Sequence, residues 1–278
     1  MLVNLNDVLK PGSGRAVGLF NTVNMEMARG TIAAAEELGS PVVIGTAEVL
    51  LPYGPLEELS WLLLPMAKRA SVPVVVHLDH GLKYETCVKA LELGFSSVMY
   101  DCSTDEYEEN VRKVAEMAKI AHSYGATIEA ELGHVGDNPA SDSASVGAVP
   151  EEFYTSPEQA RDFVERTGVD ALAVAVGTAH GAYKFPPKLD FERITRIREA
   201  TPVPLVLHGG SGLSDSDFRE AVRRGIAKIN IFTDVNAAAA KAAHDGWKEG
   251  IGMTDLIPGE VEAVKSSVME KMRLFNCE

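Results

Sequence analysis

The stretch Val74-Val75-Val76-His77-Leu78-Asp79-His80-Gly81, VVVHLDHG, sets the reading of the whole chain. Three β-branched residues and a leucine make a buried strand. Yet that strand ends in two histidines and an aspartate within four positions. Polar groups packed against an apolar strand are costly unless something binds them. The stretch therefore raises both a fold and a chemistry: a strand covered on both faces, and a strand end that meets a ligand.

Working outward, seven more runs read the same way: Ala16–Phe20, Val42–Thr46, Ser96–Asp101, Thr127–Leu132, Ala171–Gly177, Val203–His208 and Lys228–Phe232. Amphipathic helical patterns separate them, among them Met25–Leu38, Leu56–Ala70, Asp105–Tyr124 and Asp215–Arg224. Near-continuous apolar strands alternating with helices predict a parallel sheet buried on both faces. Eight such units predict an α/β chain folded as one (β/α)8 TIM barrel spanning 1–278, with a C-terminal helix. A doubly wound open sheet is the competing reading, but its glycine-rich turn after the first strand is absent. The connection Gly133–Ser156, after the fifth strand, is long, polar and lid-like.

Bulk properties narrow the function. The 278 residues carry a formal net charge of −14 and 46% hydrophobic residues. Nucleic-acid binding needs a basic footprint, and no Lys/Arg cluster supplies one. No apolar run approaches a membrane span and the N-terminus does not read as a signal peptide, so no membrane partner is expected. Cys87, Cys102 and Cys277 lack metal-type spacing and suit a reducing cytoplasm.

A barrel keeps its active site at the C-terminal ends of its strands. Those ends read Asn21 and Asn24, Thr46 and Glu48, Asp79 and His80, Asp101, Glu129 and Glu131, His180, His208, then Asn230, Thr233 and Asp234. The opposite ends are mostly apolar or small, with Lys228 as the main exception. Three histidines, His80, His180 and His208, thus face one mouth, a catalytic zinc arrangement. The bland alternative is three unrelated polar residues at loop starts. His77 lies inside its strand and reads as a hydrogen-bonded core or supporting residue. The glycines of His208–Gly212, HGGSG, precede a helix and can turn backbone N–H groups toward an anion.

The motifs HLDHG (77–81), GTAHGAYK (177–184), LHGGSG (207–212) and NIFTD (230–234), in this order, resemble the zinc-dependent class II fructose-bisphosphate/tagatose-bisphosphate aldolase family over essentially the whole chain. The resemblance implies a lyase that reversibly cleaves a ketose (bis)phosphate to dihydroxyacetone phosphate and an aldehyde. It implies that His80, His180 and His208 ligate zinc, and that Asp101 and Glu131 hold the metal in an alternative or second position. Asp79 would donate and accept the proton at the C4 oxygen, while zinc polarises the ketone and stabilises the enediolate. Gly181, Gly209, Gly210, Ser211, Asn230, Ile231, Phe232 and Thr233 would bind dihydroxyacetone phosphate. A monovalent cation (Na+ or K+) and a homo-oligomer, dimer or tetramer, are also implied.

The chain departs from the family in two places. The segment after strand five reads GHVGDNPASD (133–142), so Asp137 or Asp142 is the nearest candidate for exchanging the enediolate proton. Where bisphosphate-cleaving relatives carry an arginine for the distal phosphate, this chain reads IPGEVEAVKSS (257–267). The substrate could therefore be a ketose 1-phosphate, unless Lys265, Arg273 or a neighbouring subunit supplies the cation. A Schiff-base aldolase needs a lysine inside the barrel; Lys228 reads as lying at the wrong end of its strand and Lys184 in a loop. A zinc-dependent hydrolase on the same fold and a sugar-phosphate-binding protein are the remaining readings.

Overall fold

The computed structural model describes residues 1–135, 153–179 and 188–276. Its strands are β1 (Leu2–Val3), β2 (Val17–Asn21), β3 (Val42–Ala47), β4 (Val74–Gly81), β5 (Ser97–Tyr100), β6 (Thr127–Leu132), β7 (Ala171–Val174), β8 (Leu205–Leu207) and β9 (Ile226–Ile231). Every pairing is parallel. Strands β2 to β9 follow one another around a ring that the β4–β5 pair closes. Closure removes the sheet edges, and eight parallel strands leave an interior that side chains can fill.

Alternation along each strand sorts residues between two cores. Val74, Val76 and Leu78 of β4 pack outward in the shell under the helices. Val75 faces inward with Val17, Leu19, Val43, Ala171, Ala173 and Val206. The outer helices are α2 (Met25–Leu38), α3 (Leu56–Arg69), α4 (Tyr84–Leu93), α5 (Tyr107–Ser123), α6 (Pro157–Thr167), α7 (Phe191–Ala200), α8 (Asp215–Arg224) and α9 (Thr233–Gly246). The long α10 (Met253–Phe275) packs against α2, α8 and α9, and its Phe275 ring lies 5.4 Å from Phe218 of α8.

Two features are absent from the sequence reading. The four-residue α1 (Leu5–Val8) and β1 close the bottom of the barrel. Leu5 and Leu9 enter the interior cluster, and Leu5 N–H donates to Thr127 Oγ1 at 3.2 Å. A four-residue helix has too little periodicity to announce itself. The second concerns Lys228. It is the third residue of β9 and fully buried inside the barrel, not at a solvent-facing strand start. The strand begins two residues earlier than the apolar pattern suggested. Of the polar connection Gly133–Ser156, read as a lid, residues 136–152 lie outside the described residues, as do His180 and Gly181. The described ends of that connection meet, with His134 N–H donating to Phe153 O at 3.1 Å.

The plug gives a test of the fold alone. Leu5→Ala removes a buried side chain from a cluster far from the strand ends and should cost about 2–5 kcal/mol of stability. Denaturant unfolding should show the loss at unchanged catalytic rate. Wild-type stability in this variant would mean that α1 does not seal the barrel.

Candidate active site

At the C-terminal mouth of the barrel lies a cavity of about 350 Å³. Asn21, Asp79, His80, Asp101, Gly209, Gly210, Ser211, Asn230, Ile231, Phe232 and Thr233 all line it. His208 and Glu131 are buried at its floor. Nine of the eleven described metal-ligand and phosphate-side candidates thus line one space with Asp79; Asn24, Glu48 and Asp234 are not in its lining. Asn24 caps α2 through its Oδ1. Glu48 accepts N–H bonds from Leu82 and Lys83 at 2.7 and 3.0 Å, capping α4 from outside. Asp234 pairs with Lys271 at 2.9 Å and ties α9 to α10.

Period-two alternation should send Asp79 and His80 to opposite faces of β4. A register shift between β4 and β5 at Leu78–Gly81 prevents this. His80 takes φ 41°, the one positive φ at a non-glycine residue among the described residues. Such a bulge re-aims a side chain at the cost of local strain. Here it brings two neighbours into the same mouth. Gly81 makes the bulge fit: a Cβ there would stand 2.4 Å from Cys87 Sγ and 2.7 Å from Met99 O.

The two described histidines of the three ligand candidates face each other. His80 Nε2 and His208 Nδ1 are 2.7 Å apart, with the rings at 89°. Behind each ring stands a carboxylate: Asp101 Oδ2 lies 2.7 Å from His80 Nδ1, and Glu129 Oε1 lies 2.9 Å from His208 Nε2. A carboxylate behind an imidazole fixes the tautomer and directs the other nitrogen's lone pair forward. Two lone pairs so directed repel unless a proton or a metal ion lies between them.

Charge around this point favours a cation. Asp79, Glu129, Glu131 and Asp101 gather around one ammonium among the described residues, that of Lys228. Burial opposes protonation of His80, yet Asp79, Asp101 and Glu131 outweigh it and push its pKa up to about 10. His208 moves the other way, lowered by burial and by the charge of His80, and stays neutral. Burial and the Asp101 charge raise Glu131 to about 8. Its Oε1 accepts from Val135 N–H at 2.9 Å, while Oε2, 3.9 Å from His208 Nδ1, has no hydrogen-bond partner among the described residues. Convergent nitrogens, a carboxylate surplus and an orphaned buried oxygen together fit a divalent cation. Two donor groups, Asp79–His80–His208 and His80–Asp101–Glu131, share His80.

Asp79 is held at both oxygens. Asn21 Nδ2 donates to Oδ2 at 2.7 Å and Asn230 Nδ2 to Oδ1 at 2.9 Å. Burial would raise its pKa, but the charges of His80 and Lys228 hold it well below the usual carboxylate range. The result is an ionised carboxylate of fixed orientation at the cavity wall. His77, one pleat below, is fully buried, hydrogen-bonded to Ser97 Oγ at 2.8 Å and lowered to about 3 by burial, so it is neutral. On the opposite side Gly209, at φ 66°, packs where a Cβ would meet Ala179 O at 2.4 Å. The turn after it leads into α8, and α9 starts at Thr233 without a side-chain cap. Helix N-termini of this kind offer backbone N–H groups to an anion.

Sequence reasoning gave His77 a supporting place and Glu129 a place at its strand end, but put Lys228 outside the site. Lys228, Glu129 and His77 each lie two residues before a mouth residue on the same strand, so alternation alone could have placed them beneath it.

A family model described as "Fructose-bisphosphate aldolase class-II" matches residues 3–278. The Escherichia coli (strain K12) protein YdjI is 43% identical over 95% of this chain and 92% of its own length. Its crystal structure, described as that of the YdjI aldolase, superposes with a TM-score of 0.87, covering 99% of this chain and 97% of that one. Fructose-bisphosphate aldolase of Thermus caldophilus is 39% identical, covering 99% of this chain and 98% of that protein.

The bulge can be tested without reference to any reaction. Gly81→Ala forces a Cβ against the Met99 carbonyl and the Cys87 sulfur, so the end of β4 must shift. Overpacking of this sort costs about 1–3 kcal/mol. A melting temperature and crystal structure identical to wild type would show that the site does not need glycine here.

Proposed function

The chain belongs to the class II fructose-bisphosphate aldolase family, a metal-dependent lyase family, and from that premise we propose that it cleaves a ketose phosphate to dihydroxyacetone phosphate and an aldehyde with zinc as its metal. The observation that carries the reading is the pair of imidazole nitrogens 2.7 Å apart, each backed by a carboxylate. His80 and His208 would hold the zinc with His180, which lies outside the described residues. Asp101 supports His80 from behind, and Glu131 offers the carboxylate oxygen for an alternative position. When bound, zinc supplies an electrophile for the ketone oxygen.

The chain's own groups do the rest. Asp79 accepts the C4 hydroxyl proton as the C3–C4 bond breaks and returns it in the condensation direction. Asn21 and Asn230 keep its carboxylate aimed at the cavity. Gly209, Gly210, Ser211 and the Asn230–Thr233 segment, with Gly181 outside the described residues, present the backbone groups that receive the phosphate of dihydroxyacetone phosphate. A monovalent cation near Gly181 and Gly209 would offset part of that phosphate charge. We take 1–278 as one catalytic domain that assembles as a dimer or tetramer. A cytoplasmic location suits the free thiols of Cys87 and Cys102.

A specific observation favours a substrate without a distal phosphate. No Lys or Arg is among the described residues lining the cavity; its aldehyde side offers Val49, Leu50 and Leu82. Lys265 is engaged with Glu37, joining α10 to α2, and Arg273 lies outside the cavity lining. A ketose 1-phosphate whose aldehyde half is uncharged at its far end fits that wall better than a bisphosphate does.

Chelator should abolish cleavage, zinc should restore it, and borohydride with substrate should trap nothing. Asp79→Ala should keep zinc while kcat falls roughly 10²–10⁴-fold. A borohydride-trapped lysine adduct, or near-normal kcat in Asp79→Ala, would overturn the mechanism. The substrate reading is checked by kcat/KM for aldehydes with and without a terminal phosphate. Absence of one ion-paired phosphate contact shrinks the preference by about 1.5–3 kcal/mol, roughly 10–150-fold. A preference of several thousandfold for glyceraldehyde 3-phosphate over glyceraldehyde would require a cation that the described residues do not provide.

A further inference from the structure

A lysine fully enclosed in a barrel needs a reason. Lys228 sits at 0% exposure, with an equally buried Glu129. Its ammonium lies 2.9 Å from Glu129 Oε2, an ionic contact whose angle is not that of a hydrogen bond, and donates to Asn230 Oδ1 at 2.7 Å. Each of those partners reaches upward to a different part of the site. Glu129 Oε1 meets His208 Nε2 at 2.9 Å. Asn230 Nδ2 donates to Asp79 Oδ1 at 2.9 Å.

We propose that Lys228 is a positioning residue that sets two parts of the site at once: through Glu129 it orients His208 toward the metal, and through Asn230 it orients the Asp79 carboxylate. The inference rests on the metal-dependent reading given above. Its geometry is a fork. The ammonium is a donor only, so it fixes the Asn230 amide with its oxygen down and its NH2 group up toward Asp79. The same charge holds Glu129 with one oxygen down and the other under His208. That oxygen requires Nε2 of His208 to carry the hydrogen, leaving Nδ1 for the metal. A neutral side chain of equal length would leave the carboxylate without its counter-charge and free the Asn230 amide to turn over.

The fork also accounts for the use of lysine here without imine chemistry. The nitrogen is engaged by Glu129 and Asn230 one pleat below the cavity wall, and Lys228 is not among the residues lining the cavity.

The test uses the full-length protein and reads zinc affinity by chelator competition, cobalt(II) visible spectra, and kcat against KM. In Lys228→Met, zinc should bind about 10–100-fold more weakly, the scale for losing a group that orients a ligand. The cobalt spectrum should change in band position or intensity. At saturating zinc, kcat should fall by about 10-fold or more with KM little altered, because the Asp79 arm is lost as well. Lys228→Met leaves Glu129 unpaired and can fail to fold. The double variant Lys228→Met/Glu129→Gln removes both charges and should fold while still binding zinc about 10–100-fold more weakly. In metal-free wild type, nitrogen-15 spectra should show His208 with its hydrogen on Nε2. Wild-type zinc affinity and cobalt spectrum in either folded variant, or a hydrogen on Nδ1 of His208, overturns the inference. Failure of wild type itself to bind zinc would instead overturn the metal-dependent reading, so the two failures are distinguishable.

Discussion

Two imidazole nitrogens 2.7 Å apart, each with a carboxylate behind its ring, cannot both present lone pairs at that distance without a proton or a metal ion between them. Everything around the barrel mouth serves this constraint. Asp101 and Glu129 each commit one nitrogen of His80 and of His208, so the remaining lone pairs point inward. The surplus of buried carboxylates makes the point between them attractive to a cation and poor for anything else. A protein that only needed to be stable would fill this volume with leucine, since replacing buried charge by well-packed apolar groups is often neutral or favourable. The arrangement is therefore a functional commitment, carried by the rest of the fold.

The barrel tolerates the commitment because its interior is layered. At the bottom, Val17, Leu19, Val43, Val75 and Val206 pack with Leu5 and Leu9 of the N-terminal plug into an apolar floor. Above them lie His77, Glu129 and Lys228, fully buried. The mouth residues Asp79, Glu131 and Asn230 form the next level, two positions further along the same three strands. Water is kept out of the middle layer from below, which strengthens its ionic contacts and raises the cost of leaving any of them unmade. The layer at the mouth of the cavity is thus held by a layer beneath it.

The helices contribute less to chemistry than to delivery. The turn through Gly209 leads into α8, while α9 begins at Thr233 beside the cavity. Glu48 fastens the start of α4 beside the β4 bulge through Leu82 and Lys83. Ion pairs such as Lys271–Asp234 and Lys265–Glu37 tie α10 to its neighbours instead of serving the cavity. Of the cations that sequence inspection nominates for a distal phosphate, Lys265 is engaged in this way and Arg273 is not in the cavity lining, which is why the apolar wall of Val49, Leu50 and Leu82 carries weight in the proposed substrate.

By itself the sequence determined the barrel, because eight apolar runs separated by amphipathic segments admit few other packings. It also determined the chemical character of the mouth: His80, Asp79 and His208 stand at strand ends, where a parallel barrel gathers its ligands, and their types are those of a metal site. Three things were left to the tertiary structure. Alternation assigns Asp79 and His80 to opposite faces, and only the bulge at φ 41° brings both inward. The span of β9 depends on its neighbours' register, so a lysine that read as a strand start became the centre of a buried network with Glu129 and Asn230. The plug of Leu5 and Leu9 follows no periodic pattern; it exists because an open barrel end must be filled. Each is a consequence of which strand lies beside which, a relation between residues distant in sequence that no local pattern contains.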